Sequence, residues 1–169
     1  MDYLKVLIVE DNPLVRGAID HTLKTKYDCK VFMASNVDDG LAFMLDEKPD
    51  IIILDYDLED SVGINKNGLA FLEGMRSLKV KIPTVIVSGQ PNKSLAVALI
   101  KNGDVDYVYK DDDDFLDKML EAVESILSIK SINENLKINN VYLKKRTKQI
   151  ILLFSIVIIA ILVSVFIWG

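Results

Sequence analysis

Nineteen consecutive residues near the end of this chain carry no charge, no proline and no glycine: Ile150 to Trp168 reads IILLFSIVIIAILVSVFIW. Wound as an α-helix at about 1.5 Å per residue, the run is roughly 28 Å long, close to the ~30 Å hydrocarbon core of a bilayer. Its apolar residues cover every face of such a helix, whereas a helix packed on a soluble core keeps one apolar stripe. The basic stretch KKRTK, residues 144–148, lies just before the run, and only Gly169 follows it. Lys and Arg beside one end of a span place that end in the cytoplasm. The sequence therefore predicts a single-pass C-terminal membrane anchor over 150–168, with the preceding residues on the cytoplasmic side.

Composition narrows what those preceding residues do. Formal net charge is −5, so a general nucleic-acid footprint is not expected. Cys29 is the only cysteine and His21 the only histidine. An intramolecular disulfide is excluded, as is a multi-histidine metal site within one chain. The start, MDYLKVLIVEDNP, has an acid at once and a short apolar run, which is not the pattern of a signal peptide. The acids are clustered: Glu10 and Asp11; Asp55, Asp57, Glu59 and Asp60; then Asp111 to Asp114.

Short apolar runs alternate with helical spacing. LKVLIV (4–9), CKVFMA (29–34), DIIILD (50–55), PTVIVS (83–88) and VDYVY (105–109) read as strands. The third is continuously apolar between its acids, as expected when both faces of a sheet are covered. Asn12 before Pro13 reads as a helix cap, and Ser35 or Asn36 caps a second helix that ends before Pro49. Gly68 opens a third. A further helix carries Leu95, Ala98 and Leu99 and closes at Gly103, and another starts near Phe115. Five strand–helix units in succession predict an α/β fold: a five-stranded parallel sheet, doubly wound with helices on both faces.

From Phe115 to Gln149 there is no Pro or Gly. Ile129, Ile132, Leu136, Asn139 and Leu143 repeat at alternating spacings of three and four, the pattern of a short coiled-coil seam. Such a stripe fits a homodimer through a second copy of the chain; it also fits a solvated stalk that spaces the domain from the membrane. The expected organisation is one domain over 1–127, a helical stalk over 128–149 and the transmembrane helix over 150–168.

Chemistry collects at the strand ends. In an open parallel sheet, ligands bind beyond the carboxyl ends of the strands, near the point where strand order reverses. The first strand ends in Glu10 and Asp11, the third in Asp55, the fourth in Ser88 and the fifth in Lys110. Three carboxylates repel one another unless a hard cation joins them, and Mg²⁺ takes carboxylate and carbonyl oxygens. A carboxylate beside a metal, faced by an ammonium and a hydroxyl, is suited to phosphoryl transfer.

The acidic pair in IVEDNP, the aspartate in IIILD, the hydroxyl in IVSG and the lysine in YVYK together resemble the receiver domain of two-component response regulators, over about residues 3–127. The resemblance implies that Asp55 is the phosphoacceptor and that a histidine kinase or phosphotransfer protein is the donor. It implies Mg²⁺ held by Asp11 and Asp55, by the carbonyl of Asp57, and by Glu10 through water. Ser88 and Lys110 would bind the phosphoryl oxygens. Tyr107 matches the switch aromatic that turns inward as Ser88 is drawn to the phosphate. Tyr56, Asp57 and Gln90 would tune phosphate lifetime.

Three departures stand out. The family usually has Pro after the strand-five lysine, where this chain has four aspartates. Its usual Pro after the phosphoacceptor is also missing, and the loop from Asp55 to Gly68 is longer than the family's norm. The expected function is a membrane-tethered receiver in a phosphorelay, signalling through protein–protein contacts and not an enzyme beyond its own phosphorylation and dephosphorylation. The alternative is a phosphorylation-independent adaptor that recruits a partner to the membrane. A hydrolase using Asp55 and Asp57 as a DxD pair fits less well, because the Glu10–Asp11 pair has no place in it.

Overall fold

The computed structural model describes residues 3–58, 67–89, 105–110 and 112–168. It separates into two units, Met1–Ile126 and Leu127–Gly169. The first is built on five parallel strands: β1 (Leu4–Val9), β2 (Cys29–Ala34), β3 (Ile51–Asp55), β4 (Thr84–Ser88) and β5 (Val105–Tyr109). Their order across the sheet is β2-β1-β3-β4-β5, so β1 and β3 are neighbours and β2 lies outside β1. The order reverses at β1, which places the ligand-binding crevice at its carboxyl end.

Two strands start one residue later than the sequence suggests. Asp50 turns its carboxylate to the Lys5 amide (3.1 Å), and Pro83, with no N–H of its own, serves the sheet only by accepting from Ile52 N (2.9 Å). The helices are α1 (Pro13–Lys26), α2 (Val37–Glu47), α3 (Gly68–Ser77) and α4 (Phe115–Trp168). Asn12 caps α1 through the Leu14 and Val15 amides. Asn36 rather than Ser35 caps α2, accepting from Asp39 N. The helix expected around Leu95 to Gly103 lies outside the described residues, as do Gln90 and Asp111.

Strand alternation divides the core. Leu7, Val9, Ile52, Leu54 and Ile86 form one cluster with Val37 and Met44 of α2 and Phe71 and Met75 of α3. The alternate residues Val6, Ile8, Ile53, Val85 and Val87 are also fully buried, with their side chains on the opposite face. There α1 lies against β1 and β2, bringing the buried Ile19 and Leu23. A Lys26–Glu124 ion pair (2.7 Å) ties α1 to the start of α4, whose Met119 and Val123 are fully buried. Both sheet faces are therefore covered, which is why the central strands read as unbroken apolar runs.

In the second unit, 127–168 are helical. Ile129, Ile132, Leu136 and Leu143 are all more than half exposed. Among the described residues one helix is long and apolar enough to cross a membrane, and nothing in its most apolar window is buried within the protein.

Candidate functional site

The site is assembled by ladder hydrogen bonds that run one residue past the strands. Glu10 N donates to Ala34 O (3.0 Å), Tyr56 N to Val87 O (2.9 Å) and Lys110 N to Ser88 O (2.9 Å). The backbone thus fixes where Glu10, Asp55, Ser88 and Lys110 emerge. Glu10, Asp55 and Ser88 are almost fully buried, each 3% exposed or less.

Lys110 is the centre of the arrangement. Its Nζ lies 2.6 Å from Glu10 Oε2 and 2.7 Å from Asp55 Oδ2. It therefore bridges the ends of β1 and β3 from the end of β5. Ligand-type oxygens of Glu10, Asp11 and Asp55 all lie within 4.8 Å of one another. One ammonium leaves this trio formally two charges negative when all three acids are ionised, a deficit that a divalent cation matches. The all-oxygen donor set fits Mg²⁺ better than softer metals.

The electrostatics record the same tension. Burial raises the Glu10 carboxyl to a pKa of about 7; the Lys110 hydrogen bond offsets part of this, while the Asp55 charge adds to it. Burial pulls the Lys110 ammonium downward, but its hydrogen bonds to Asp55 and Glu10 outweigh that and leave its pKa raised.

Two further side chains organise the pocket, and sequence reasoning did not single out either role. Arg16, on the first turn of α1, donates to Glu10 O (2.5 Å) and Asp11 O (3.3 Å), clamping the acidic loop. Its spacing from Asn12, one helical turn, was the available signal. Asp57 N donates to Asp55 Oδ1 (2.9 Å). The Asp57 carboxylate accepts from Ser88 Oγ (2.7 Å) and Gly89 N (2.9 Å). The sequence reading gave this residue a metal-binding carbonyl and a part in tuning phosphate lifetime, but not its hold on Ser88.

Gly68 sets the far wall. A Cβ there would sit 2.6 Å from Asp55 O and 2.7 Å from Tyr56 Cα. No side chain fits where α3 begins against the end of β3. Gly68 N also donates to Tyr56 O (3.0 Å). Tyr107, paired with Ile86 across β4 and β5, is partly buried against the core cluster. Lys118 pairs with Asp112 (2.6 Å) and Asp114 (2.9 Å), so these two aspartates serve the first turn of α4, while Lys110 faces Glu10 and Asp55.

The family model of the response regulator receiver domain matches residues 6–124. The chain belongs to the response regulator receiver family. Its receiver is 30% identical over 121 residues to the Probable C4-dicarboxylate response regulator DctR of Bacillus subtilis, covering 71% of this chain and 50% of that protein. It is 30% identical over 126 residues to the Nitrate/nitrite response regulator protein homolog of Haemophilus influenzae, covering 74% of this chain and 57% of that one. The chain thus spans about half the length of these curated relatives. A receiver domain protein from Methanospirillum hungatei superposes with a TM-score of 0.65 at 20% identity, covering 78% of this chain and 99% of that one. The receiver domain of the Francisella response regulator 1452 gives 0.64 at 18% identity, covering 75% and 98%. Receiver domains are signalling modules of two-component systems; they interact with histidine kinases or phosphotransfer proteins and typically bind Mg²⁺ at an acidic pocket. In this receiver the acidic pocket contains Glu10, Asp11 and Asp55.

Proposed function

We propose that this receiver accepts a phosphoryl group on Asp55 from a phosphohistidine donor while anchored to a membrane through residues 150–168. The observation that carries the reading is the Lys110 ammonium bridging Asp55 and Glu10 at 2.7 and 2.6 Å, inside a trio of carboxylates. An Asp55 carboxylate oxygen attacks phosphorus; the new P–O bond forms as the P–N bond to the donor imidazole breaks, and the imidazole leaves with a proton. Lys110 follows the charge from the Asp55 oxygen to the phosphoryl oxygens. Ser88 is the hydroxyl donor to them, and Tyr107 the aromatic that packs behind it.

Asp11 and Asp55, the Asp57 carbonyl and Glu10 through water would hold Mg²⁺, which when bound neutralises charge on the transferring oxygens. The output is protein–protein contact. Exposure of Ile129, Ile132, Leu136 and Leu143 supports a homodimer along 128–149. The uninterrupted apolar run supports a single membrane span with the receiver on the cytoplasmic side.

Incubation with Mg²⁺ and acetyl phosphate tests the central claim. Wild-type protein should become an acid-stable, hydroxylamine-labile phosphoprotein, and Asp55→Asn should not. If neither acetyl phosphate nor a histidine kinase labels the wild type, and Mg²⁺ does not bind, the reading falls in favour of a phosphorylation-independent adaptor. Deleting 150–169 should release the protein from the membrane fraction.

A further inference from the structure

Charge is divided unevenly along this chain. Residues 1–126 carry 14 Lys and Arg against 24 Asp and Glu. Residues 127–149 carry six Lys and Arg against one acid, Glu134, and residues 150–169 carry neither. The division falls where the two units meet in sequence. Four of the six cations, Lys144, Lys145, Arg146 and Lys148, are packed into the last six positions before the apolar run, and all four are exposed.

No Asp or Glu follows Glu134. None of the four therefore has an acid three or four residues away along the helix with which to pair. Successive helical residues turn by roughly 100°, so Lys144, Lys145 and Arg146 leave the axis on three sides, and Lys148 returns to within about 40° of Lys144. The charges form a collar rather than a stripe. A stripe suits a partner that approaches from one side. A collar suits a medium that surrounds the helix.

Height along the axis identifies that medium. At about 1.5 Å per residue, Lys148 lies roughly 3 Å and Lys144 roughly 9 Å before Ile150, where the apolar run begins. The headgroup layer of a bilayer leaflet is about 5–8 Å thick. Flexible Lys and Arg stems reach several ångströms further. All four heads therefore fall at phosphate level if the run spans the bilayer.

We infer that Lys144, Lys145, Arg146 and Lys148 gather anionic phospholipids around the anchor. This rests on the reading of 150–168 as a membrane span. The acidic first unit cannot supply that attraction, since an anionic surface repels it. The collar thus gives the protein a preference for lipid composition, where the apolar run gives only a preference for membrane.

The full chain, reconstituted into phosphatidylcholine vesicles, tests this with trace spin-labelled phosphatidylglycerol or, in parallel, spin-labelled phosphatidylcholine. The motionally restricted fraction should favour phosphatidylglycerol by about threefold or more at low salt and decline towards parity in high salt. Replacing all four residues with Gln should bring the two labels level, whereas replacing the three lysines with Arg should keep the preference. Equal restriction of both labels by the native chain overturns the inference, as does a preference that survives the Gln variant. Failure of the native chain to float with the vesicles overturns the anchor reading itself, and the collar with it.

Discussion

The Ser88 hydroxyl donates a 2.7 Å hydrogen bond to the Asp57 carboxylate, and Gly89 N donates to the same oxygen at 2.9 Å. The group proposed to meet the phosphoryl oxygens is therefore already held by an anion. Phosphorylation of Asp55 introduces a second anion competing for the same donor. Asp57→Ala removes this hydrogen bond from Ser88 and a negative charge beside the pocket. Steady-state phosphorylation by acetyl phosphate should rise several-fold, read on phosphate-affinity gels. The same variant should lose about 1–3 kcal/mol of stability, because a charged acceptor of two hydrogen bonds is gone.

Lys110→Ala removes the only cation paired with Glu10 and Asp55 among the described residues. Two buried carboxylates then face each other without the ammonium that bridged them. Metal-free protein should lose about 3–5 kcal/mol in urea denaturation, and millimolar Mg²⁺ should restore part of it. Phosphorylation should drop at least tenfold even with Mg²⁺ present. Unchanged labelling would remove Lys110 from the site chemistry.

Glu10 makes metal-free stability depend on pH. Its folded pKa, about 7, lies above the ordinary carboxylate value of 4.5. The unfolded chain therefore ionises first. The contribution of this group is fully present below pH 4.5 and is lost as pH rises through about 7. Urea midpoints measured in a chelator should fall between pH 5 and pH 8. Mg²⁺ should flatten that slope by favouring the ionised carboxylate, and Glu10→Gln should abolish it.

Gly68→Ala and Gly17→Ala should have opposite effects. The added methyl at 68 meets backbone at 2.6 and 2.7 Å, while the one at 17 meets nothing within 4 Å. Ala at 68 should cost about 2–4 kcal/mol and lower the phosphorylation rate by displacing the end of β3. Ala at 17, inside α1, should stabilise by about 0.5–1 kcal/mol with phosphorylation unaltered. Thermal melts and labelling of the two variants separate a backbone constraint at the site from a general intolerance of methyl groups.

Asn139 interrupts an otherwise apolar seam. Asn139→Leu should strengthen self-association of the chain in detergent, seen as a larger species by sedimentation. A monomer at high concentration, phosphorylated or not, would dismiss the dimer.

The sheet could be read from the sequence because covered central strands leave unbroken apolar runs, and because an acid, a hydroxyl or a lysine marks the end of each run but β2. The caps of α1 and α2 were legible for a local reason: Asn12 and Asn36 each bond their own first turn. What the sequence hid is long-range. Asp57 and Ser88 are 31 residues apart, and nothing in DYD tells whether the second aspartate turns its carboxylate to a neighbouring strand. Arg16 looks like any exposed cation on α1 until the loop folds back to place two carbonyls before it. The crowding at Gly68 depends on how closely α3 approaches β3, a matter of packing that no spacing encodes.

The Tyr56 carbonyl and the Gly68 amide, 3.0 Å apart, act as a clasp on the chain between them. Both ends of that excursion are fastened beside Asp55, one by the strand and one by a helix start too close for a side chain. Asp55 is thereby held from two directions, by Tyr56 in the sheet and by the start of α3. The position of Asp55 therefore depends on the start of α3 as much as on β3, and a shift of either element reaches the carboxylate proposed to accept the phosphoryl group.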